Sequence, residues 1–253
     1  MIEANKKPWF ELIFYHYNGW LIRRWFANVS LRLQGDALPQ EPTLFIVNHS
    51  SWWDGLIIFQ LNRAILKYDS YVMMSEEGLK KFQFFRKIGA FSIHRDSPAD
   101  IRKSMRYAID RLVEPPLTPH ARPKALWLFP QGHIHHQDVR PLSFQPGLSF
   151  LLQRMQNMGI SVPVVPIAIY YDFGSEQKPH IYLSIGNAIR LPPSAAAGDH
   201  AKHCEMTLTA MLDQMREEII ADMPQNYTTM IHGIHSISDR FLKIFRPPTN
   251  RLN

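Results

Sequence analysis

The sequence predicts an α/β fold, with a mixed, largely parallel central sheet flanked by helices. Two observations carry that prediction. Short apolar runs such as Thr43–Val47 and Ala125–Phe129 have the length of buried strands. Between such runs lie segments with helical spacing, and strands alternating with helices favour parallel pairing. At 253 residues, 45% of them hydrophobic, the chain can bury a sizeable core. That composition excludes disorder and low-complexity arrays. One cysteine, Cys204, excludes an internal disulfide framework and a cysteine-rich zinc site.

The first segment, residues 8–27, mixes Trp9, Trp20 and Trp25 with Glu11, His16, Asn18, Arg23 and Arg24. It reads as helical, with Gly19 as the point that separates two short helices. Tryptophans of this kind settle at the lipid headgroup level, and packing on the protein's own core is the plainer alternative. Val29–Leu33 and Thr43–Val47 then read as strands. Residues 53–62 read as a helix, Ser70–Ser75 as a strand and residues 76–87 as a helix. Ala90–Ile93 is a short strand. Ser97-Pro98-Ala99-Asp100 has a capping residue, a proline at the first helical position and an acid at the third, which makes a helix start. Ile101, Met105, Ala108, Ile109 and Leu112 keep helical spacing after it.

Pro115, Pro116, Pro119 and Pro123 mark a loop. Ala125–Phe129 follows as a buried strand, and Pro146 opens a helix to about Met155. Val162–Tyr171 is apolar and β-branched, and Pro163 and Pro166 are expected to confine it to an edge or interrupt it. Ile181–Ile185 is a further strand, and Asp199–Ala221 is a long helix stopped by Pro224. A weakly amphipathic tail contains Ile234, Ile237, Phe241 and Phe245. The expected organisation is an N-terminal amphipathic helical element at 1–27, an α/β domain at 28–224, and a basic amphipathic tail at 225–253.

The net charge of +6 sits at the two ends of the chain. Residues 1–35 hold five Lys/Arg against two acids, residues 225–253 hold four against one, and the span between is neutral. Basic, aromatic-rich ends point to an anionic membrane surface; solvated charge is the bland reading. A nucleic-acid footprint fits less well, because the middle is neutral and no recognition motif occurs. No stretch reaches the ~18 apolar residues of a membrane span, and the start has no signal-peptide pattern. The expected location is therefore the cytoplasmic face of a membrane, peripheral or monotopic.

Four segments carry chemistry. In Val47-Asn48-His49-Ser50-Ser51-Trp52-Trp53-Asp54, an imidazole ends a strand and a carboxylate five residues on opens the next helix. A strand-to-helix turn can return Asp54 to His49, fixing its tautomer and leaving the other ring nitrogen to take a proton. His-x4-Asp alone is equally a structural pair. No Gly-x-Ser-x-Gly elbow occurs and Cys204 has no local support as a nucleophile, so a hydroxyl brought by substrate is the group such a pair would activate. Gly89–Arg95 puts the fork-shaped cation Arg95 at a strand end, suited to phosphate or carboxylate; an ion pair with Asp96 or Asp100 is the alternative. Leu128–His133 ends a buried strand in a turn. Val162–Ile169 is the apolar strand with two prolines.

These four segments, in this order across residues 48–169, resemble the four motifs of the glycerolipid acyltransferase family, that of the 1-acylglycerol-3-phosphate and lysophospholipid acyltransferases. The resemblance implies transfer of an acyl group from acyl-CoA or acyl carrier protein to a hydroxyl, on an α/β domain with an N-terminal two-helix membrane-docking element. His49 takes the place of the general base and Asp54 that of its partner. Arg95 corresponds to the acceptor-phosphate contact. Gln131, Gly132 and His133 fall in the acceptor-binding motif, Gly132 shaping its turn, with Asn48, Ser50 and Pro130 in support. The implied partners are a membrane surface, the acyl donor and a hydroxylated lipid, with no nucleic acid, no metal and no cofactor besides the donor.

The third motif departs from the family. Its usual Phe-Pro-Glu-Gly-Thr-Arg is Phe129-Pro130-Gln131-Gly132-His133-Ile134 here. A carboxylate has become an amide and the arginine is missing. His133, His135, His136 or Arg140 is then the candidate replacement cation, and a neutral lipid or glycolipid acceptor becomes an alternative to a lysophospholipid. A non-catalytic lipid-binding protein of the same fold is a further alternative. The alternating histidines at 133, 135 and 136 also allow a metal site, although a polar loop beside the acceptor is the simpler reading.

Overall fold

The computed structural model describes residues 1–35, 38–94, 97–115, 118, 121–174, 176–190, 196–222 and 226–234. The chain runs α1 (Pro8–Trp25), β1 (Asn28–Leu33), β2 (Thr43–Val47), α2 (Asp54–Leu61), β3 (Asp69–Ser75), α3 (Glu76–Lys81) and β4 (Ala90–Ile93). It continues with α4 (Pro98–Val113), β5 (Lys124–Leu128), α5 (Gly147–Asn157), β6 (Val164–Asp172), β7 (His180–Ile185), α6 (Ala197–Ile220) and β8 (Thr228–His232). A π-helical turn, Asn62–Leu66, extends α2, and a 3-10 turn, Gln83–Ile88, leads into β4.

Among the described residues eight strands form one sheet in the order β4-β3-β5-β2-β6-β7-β1-β8. Only β6–β7 and β1–β8 pair antiparallel; the rest of the ladder is parallel. The predicted fold class is therefore the observed one. Strand β2 is buried at every residue. Phe45 and Val47 face α1 and α2 through Ile22, Ile57 and Leu61. Leu44 and Ile46 face α4 and α5 through Met105, Ile109, Leu148 and Leu151. Both faces being covered explains the unbroken apolar run at residues 44–47 in β2. Helix α6 completes the second layer by packing Leu208, Leu212 and Met215 on Ala168 and Tyr170 of β6.

Three local expectations change. Residues 8–25 are one helix, not two. Gly19 lies on the packed face, where an added Cβ would stand 3.1 Å from Gln60 Nε2, and close packing outweighs the roughly 1 kcal/mol helical cost of a glycine. Strand β6 is central rather than an edge. Pro166 is tolerated there because its carbonyl accepts from Gly186 N at 2.8 Å, just past the last β7 residue. Its missing N–H thus falls at the end of the β6–β7 ladder. Residues 228–232, expected within an amphipathic tail, form edge strand β8 on β1. The Ile234 stretch beyond residue 234 lies outside the described residues.

Ser97 caps α4 by accepting from Asp100 N at 3.2 Å, as its sequence indicates. Gly89, which precedes β4, has φ +105°, and a Cβ there would lie 2.5 Å from the Ser70 carbonyl oxygen. Gly89→Ala should therefore cost about 2 kcal/mol or more, read as a lower denaturation midpoint in urea with an unchanged slope.

Candidate active site

Strands β3, β5, β2 and β6 run in the same direction, so their carboxyl ends share one rim of the sheet. Ligands in open α/β sheets bind outside that rim. Asn48 extends the β2–β6 ladder with its side chain. Its Nδ2 donates to Ile169 O at 2.9 Å, and its Oδ1 accepts from Ile169 N at 2.7 Å. This amide bracket fixes the point at which the chain leaves β2 and begins its turn.

The next residue, His49, is about a quarter exposed, while Asp54 is fully buried. His49 Nδ1 lies 2.8 Å from Asp54 Oδ2. The same oxygen accepts from Ser50 N at 2.7 Å and Ser51 N at 2.9 Å. Tyr171 OH, at the carboxyl end of β6, donates to the other oxygen, Oδ1, at 2.6 Å. Four donors and no acceptor surround the carboxylate, the pattern that its ionised form satisfies. The site at the start of α2 also suits negative charge. With Nδ1 committed to Asp54 as a donor, Nε2 is the nitrogen that can take a proton.

The loop after β5 packs against His49. Phe129 stacks on the His49 ring at a centroid distance of 4.4 Å. Pro130 and Gln131 are buried, and Gln131 Oε1 accepts from His49 N at 2.7 Å. A carboxylate at this position would accept in the same way. Gly132 closes the turn with φ +77° and donates its N–H to Phe129 O at 2.9 Å. Farther along, His135 N donates to His49 O at 2.9 Å. Gln137 binds both backbone groups of Tyr171, donating to its carbonyl at 2.9 Å and accepting from its N–H at 3.0 Å.

A family model described as Acyltransferase matches residues 30–170, more than half of the chain. That span runs from within β1 to within β6 and includes the dyad and the loop after β5.

The chain belongs to the acyltransferase family.

The crystal structure of the 1-acyl-sn-glycerophosphate (LPA) acyltransferase PlsC from Thermotoga maritima resembles this acyltransferase with a TM-score of 0.51. The likeness covers 82% of this chain and 78% of that one at 14% sequence identity, and it is a likeness of fold. No curated protein sequence matches the chain at a significant level.

The acyltransferase brings His49, Asp54, Asn48, Ser50, Pro130, Gln131 and Gly132 together. His133 sits exposed on the same loop. Arg95 lies outside the described residues; His94, just before it, follows β4 at the same rim. Arg140, a candidate replacement cation, is engaged elsewhere: its Nε donates to Asp213 Oδ1 at 2.8 Å, and one terminal nitrogen donates to the carbonyls of Gln137 and Val139. Among the described residues no group of three or more His, Cys, Asp or Glu side chains is placed to hold a metal ion. Cys204 is buried within α6, and burial pushes its thiol up to about 12, far from a thiolate nucleophile.

Sequence reasoning missed Tyr171 and Gln137. Tyr171 continues the apolar face of β6 formed by Val165, Ile167 and Ile169. A tyrosine that ends such a buried stripe needs a partner for its hydroxyl, and that was the available signal.

Proposed function

We propose that the protein is a membrane-associated O-acyltransferase that moves a fatty acyl group from acyl-CoA or acyl carrier protein to a hydroxyl of a lysophospholipid-type acceptor. The observation that carries this reading is the His49–Asp54 pair, with Nδ1 held at 2.8 Å and Nε2 left for the acceptor. His49 Nε2 removes the acceptor proton as the hydroxyl oxygen attacks the thioester carbonyl. The tetrahedral oxyanion then collapses, the carbon–sulfur bond breaks, and the imidazolium returns its proton to the departing thiolate. Asp54 stabilises the imidazolium in between. Arg95, Gln131, Gly132 and His133 are assigned to the acceptor side. No metal and no covalent acyl-enzyme enter the scheme.

Attachment to a membrane surface, proposed here at its cytoplasmic face, is supported by α1. One face of the helix, with Phe14 and Ile22, packs on the protein, and Asn18 donates to Leu56 O at 2.9 Å. The other face presents Trp9, Leu12, Ile13, Tyr17 and Trp20, each at least half exposed. Arg23 and Arg24 follow in the last turn, where a cationic pair meets anionic headgroups. Phe26, directly after α1, contacts both Trp53 and Tyr171, so the helix ends beside the dyad turn. No helix among the described residues is long and apolar enough to cross a membrane. The double variant Trp9→Ser/Trp20→Ser should bind anionic vesicles at least about tenfold more weakly in sedimentation. Unchanged binding would remove α1 from the attachment.

The arginine missing from the third motif and the engagement of Arg140 with Asp213 favour a second reading of the acceptor, a neutral lipid or glycolipid. Labelled acyl-CoA offered with lysophosphatidic acid and, separately, with neutral lysolipids and glycolipids distinguishes them. Transfer to lysophosphatidic acid supports the first reading; transfer confined to the neutral acceptors replaces it with the second.

A further inference from the structure

We propose that Tyr171 is a positioning residue for acyl transfer: its hydroxyl anchors Asp54, and through Asp54 it holds the His49 ring in its working orientation. The role rests on the reading of His49 as the general base.

The two oxygens of Asp54 have unequal environments. Oδ2 is held by three N–H groups from its own turn. Oδ1 accepts from Tyr171 OH, which reaches it from β6 at 2.6 Å, from a residue 117 positions away. Local contacts therefore hold one oxygen of the carboxylate and Tyr171, from a distant strand, holds the other, so its bond adds a second anchor point against rotation about the Cβ–Cγ bond. A carboxylate that turns carries the Nδ1 acceptor with it, and errors of this kind at a base cost rate rather than binding.

Tyr171 is itself held at its backbone and at its ring. Gln137 clamps its backbone through a donor and an acceptor. The carbonyl of Gln137 accepts from Arg140, whose Nε is bound to Asp213 on α6. The Tyr171 ring lies 6.1 Å from Phe26, at the end of α1. Burial, and then the Asp54 charge and hydrogen bond, keep the phenol's ionisation well above its ordinary value of 10, so the hydroxyl stays a donor. The clamp also ties the Gln131–Gly132 loop to the base, because Gln137 belongs to the same loop.

The test is Tyr171→Phe, which keeps the ring and deletes the hydroxyl. Two readouts are taken on the full chain. The first is the exchange of the His49 Nδ1 proton with water, followed by NMR on protein carrying nitrogen-labelled histidine and assigned through His49→Gln. This measurement does not depend on any activity. Exchange should accelerate several-fold or more in the variant, since the freed Oδ1 draws in water or the carboxylate turns. The second readout is steady-state transfer, where kcat should fall about tenfold with KM nearly unchanged. Gln137→Ala should move both readouts in the same direction by less, and it serves if Tyr171→Phe folds poorly by circular dichroism. Unaltered Nδ1 exchange in a folded Tyr171→Phe protein overturns the proposal. If the wild-type protein transfers nothing, the reading of its function fails, while the exchange measurement still decides the role of Tyr171.

Discussion

His49→Ala should abolish acyl transfer, lowering kcat/KM by at least about a thousandfold, while the protein stays folded. The activity loss follows from geometry. Asp54 is enclosed, and both of its oxygens are bound by donors. It cannot reach an acceptor hydroxyl, so no nearby group replaces the imidazole. The structural loss should be small. His49 is about a quarter exposed, and its ring contributes mainly the stack on Phe129 and one bond to Asp54. The backbone bonds at this residue, to Gln131 and His135, survive the substitution. A stability change of about 1 kcal/mol is expected from chemical denaturation. A variant that keeps near-wild-type turnover would remove His49 from the chemistry.

Asp54→Asn should lower kcat by about a hundredfold to ten-thousandfold and leave the fold intact. The amide oxygen can take the place of Oδ2, where three N–H groups converge, and the amide nitrogen then faces Tyr171, whose hydroxyl can accept. The hydrogen-bond frame is kept and the charge that stabilises the imidazolium is lost. Asp54→Ala differs in kind. It strands the Ser50 and Ser51 amides and the Tyr171 hydroxyl in a buried turn, at a cost of about 3 kcal/mol. Thermal or urea unfolding separates the two variants. Because His49 and Asp54 act as one unit, His49→Ala/Asp54→Asn should be no less active than His49→Ala. A further loss in the double variant would mean that Asp54 contributes to catalysis without His49.

What was legible in the sequence is what local chemistry writes there. The unbroken apolar run at 44–47 records a strand covered on both faces, and the Ser97-Pro98 start records a cap. The dyad was legible because both members lie within one turn, five residues apart. Tyr171 was not, because its partner is 117 residues distant and only the parallel placement of β6 beside β2 joins them. Gly19 misled because a helix-breaking preference worth roughly 1 kcal/mol was weighed without the neighbour, Gln60, that favours a residue without a side chain. Strand β8 was hidden for a similar reason: its five residues acquire their role only from the exposed edge of β1. The exposed aromatic face of α1 was half legible, since the tryptophans were visible but not which side of the helix the protein itself would bury.

The most direct test of the account follows both products of one reaction. Wild-type protein is given acyl-CoA labelled in its acyl chain, with the lysolipid and glycolipid acceptors held in vesicles. Free thiol and labelled lipid are measured together. The account predicts one thiol released for each labelled chain joined to an acceptor hydroxyl. Thiol release without labelled lipid, or no release with any acceptor, would contradict it.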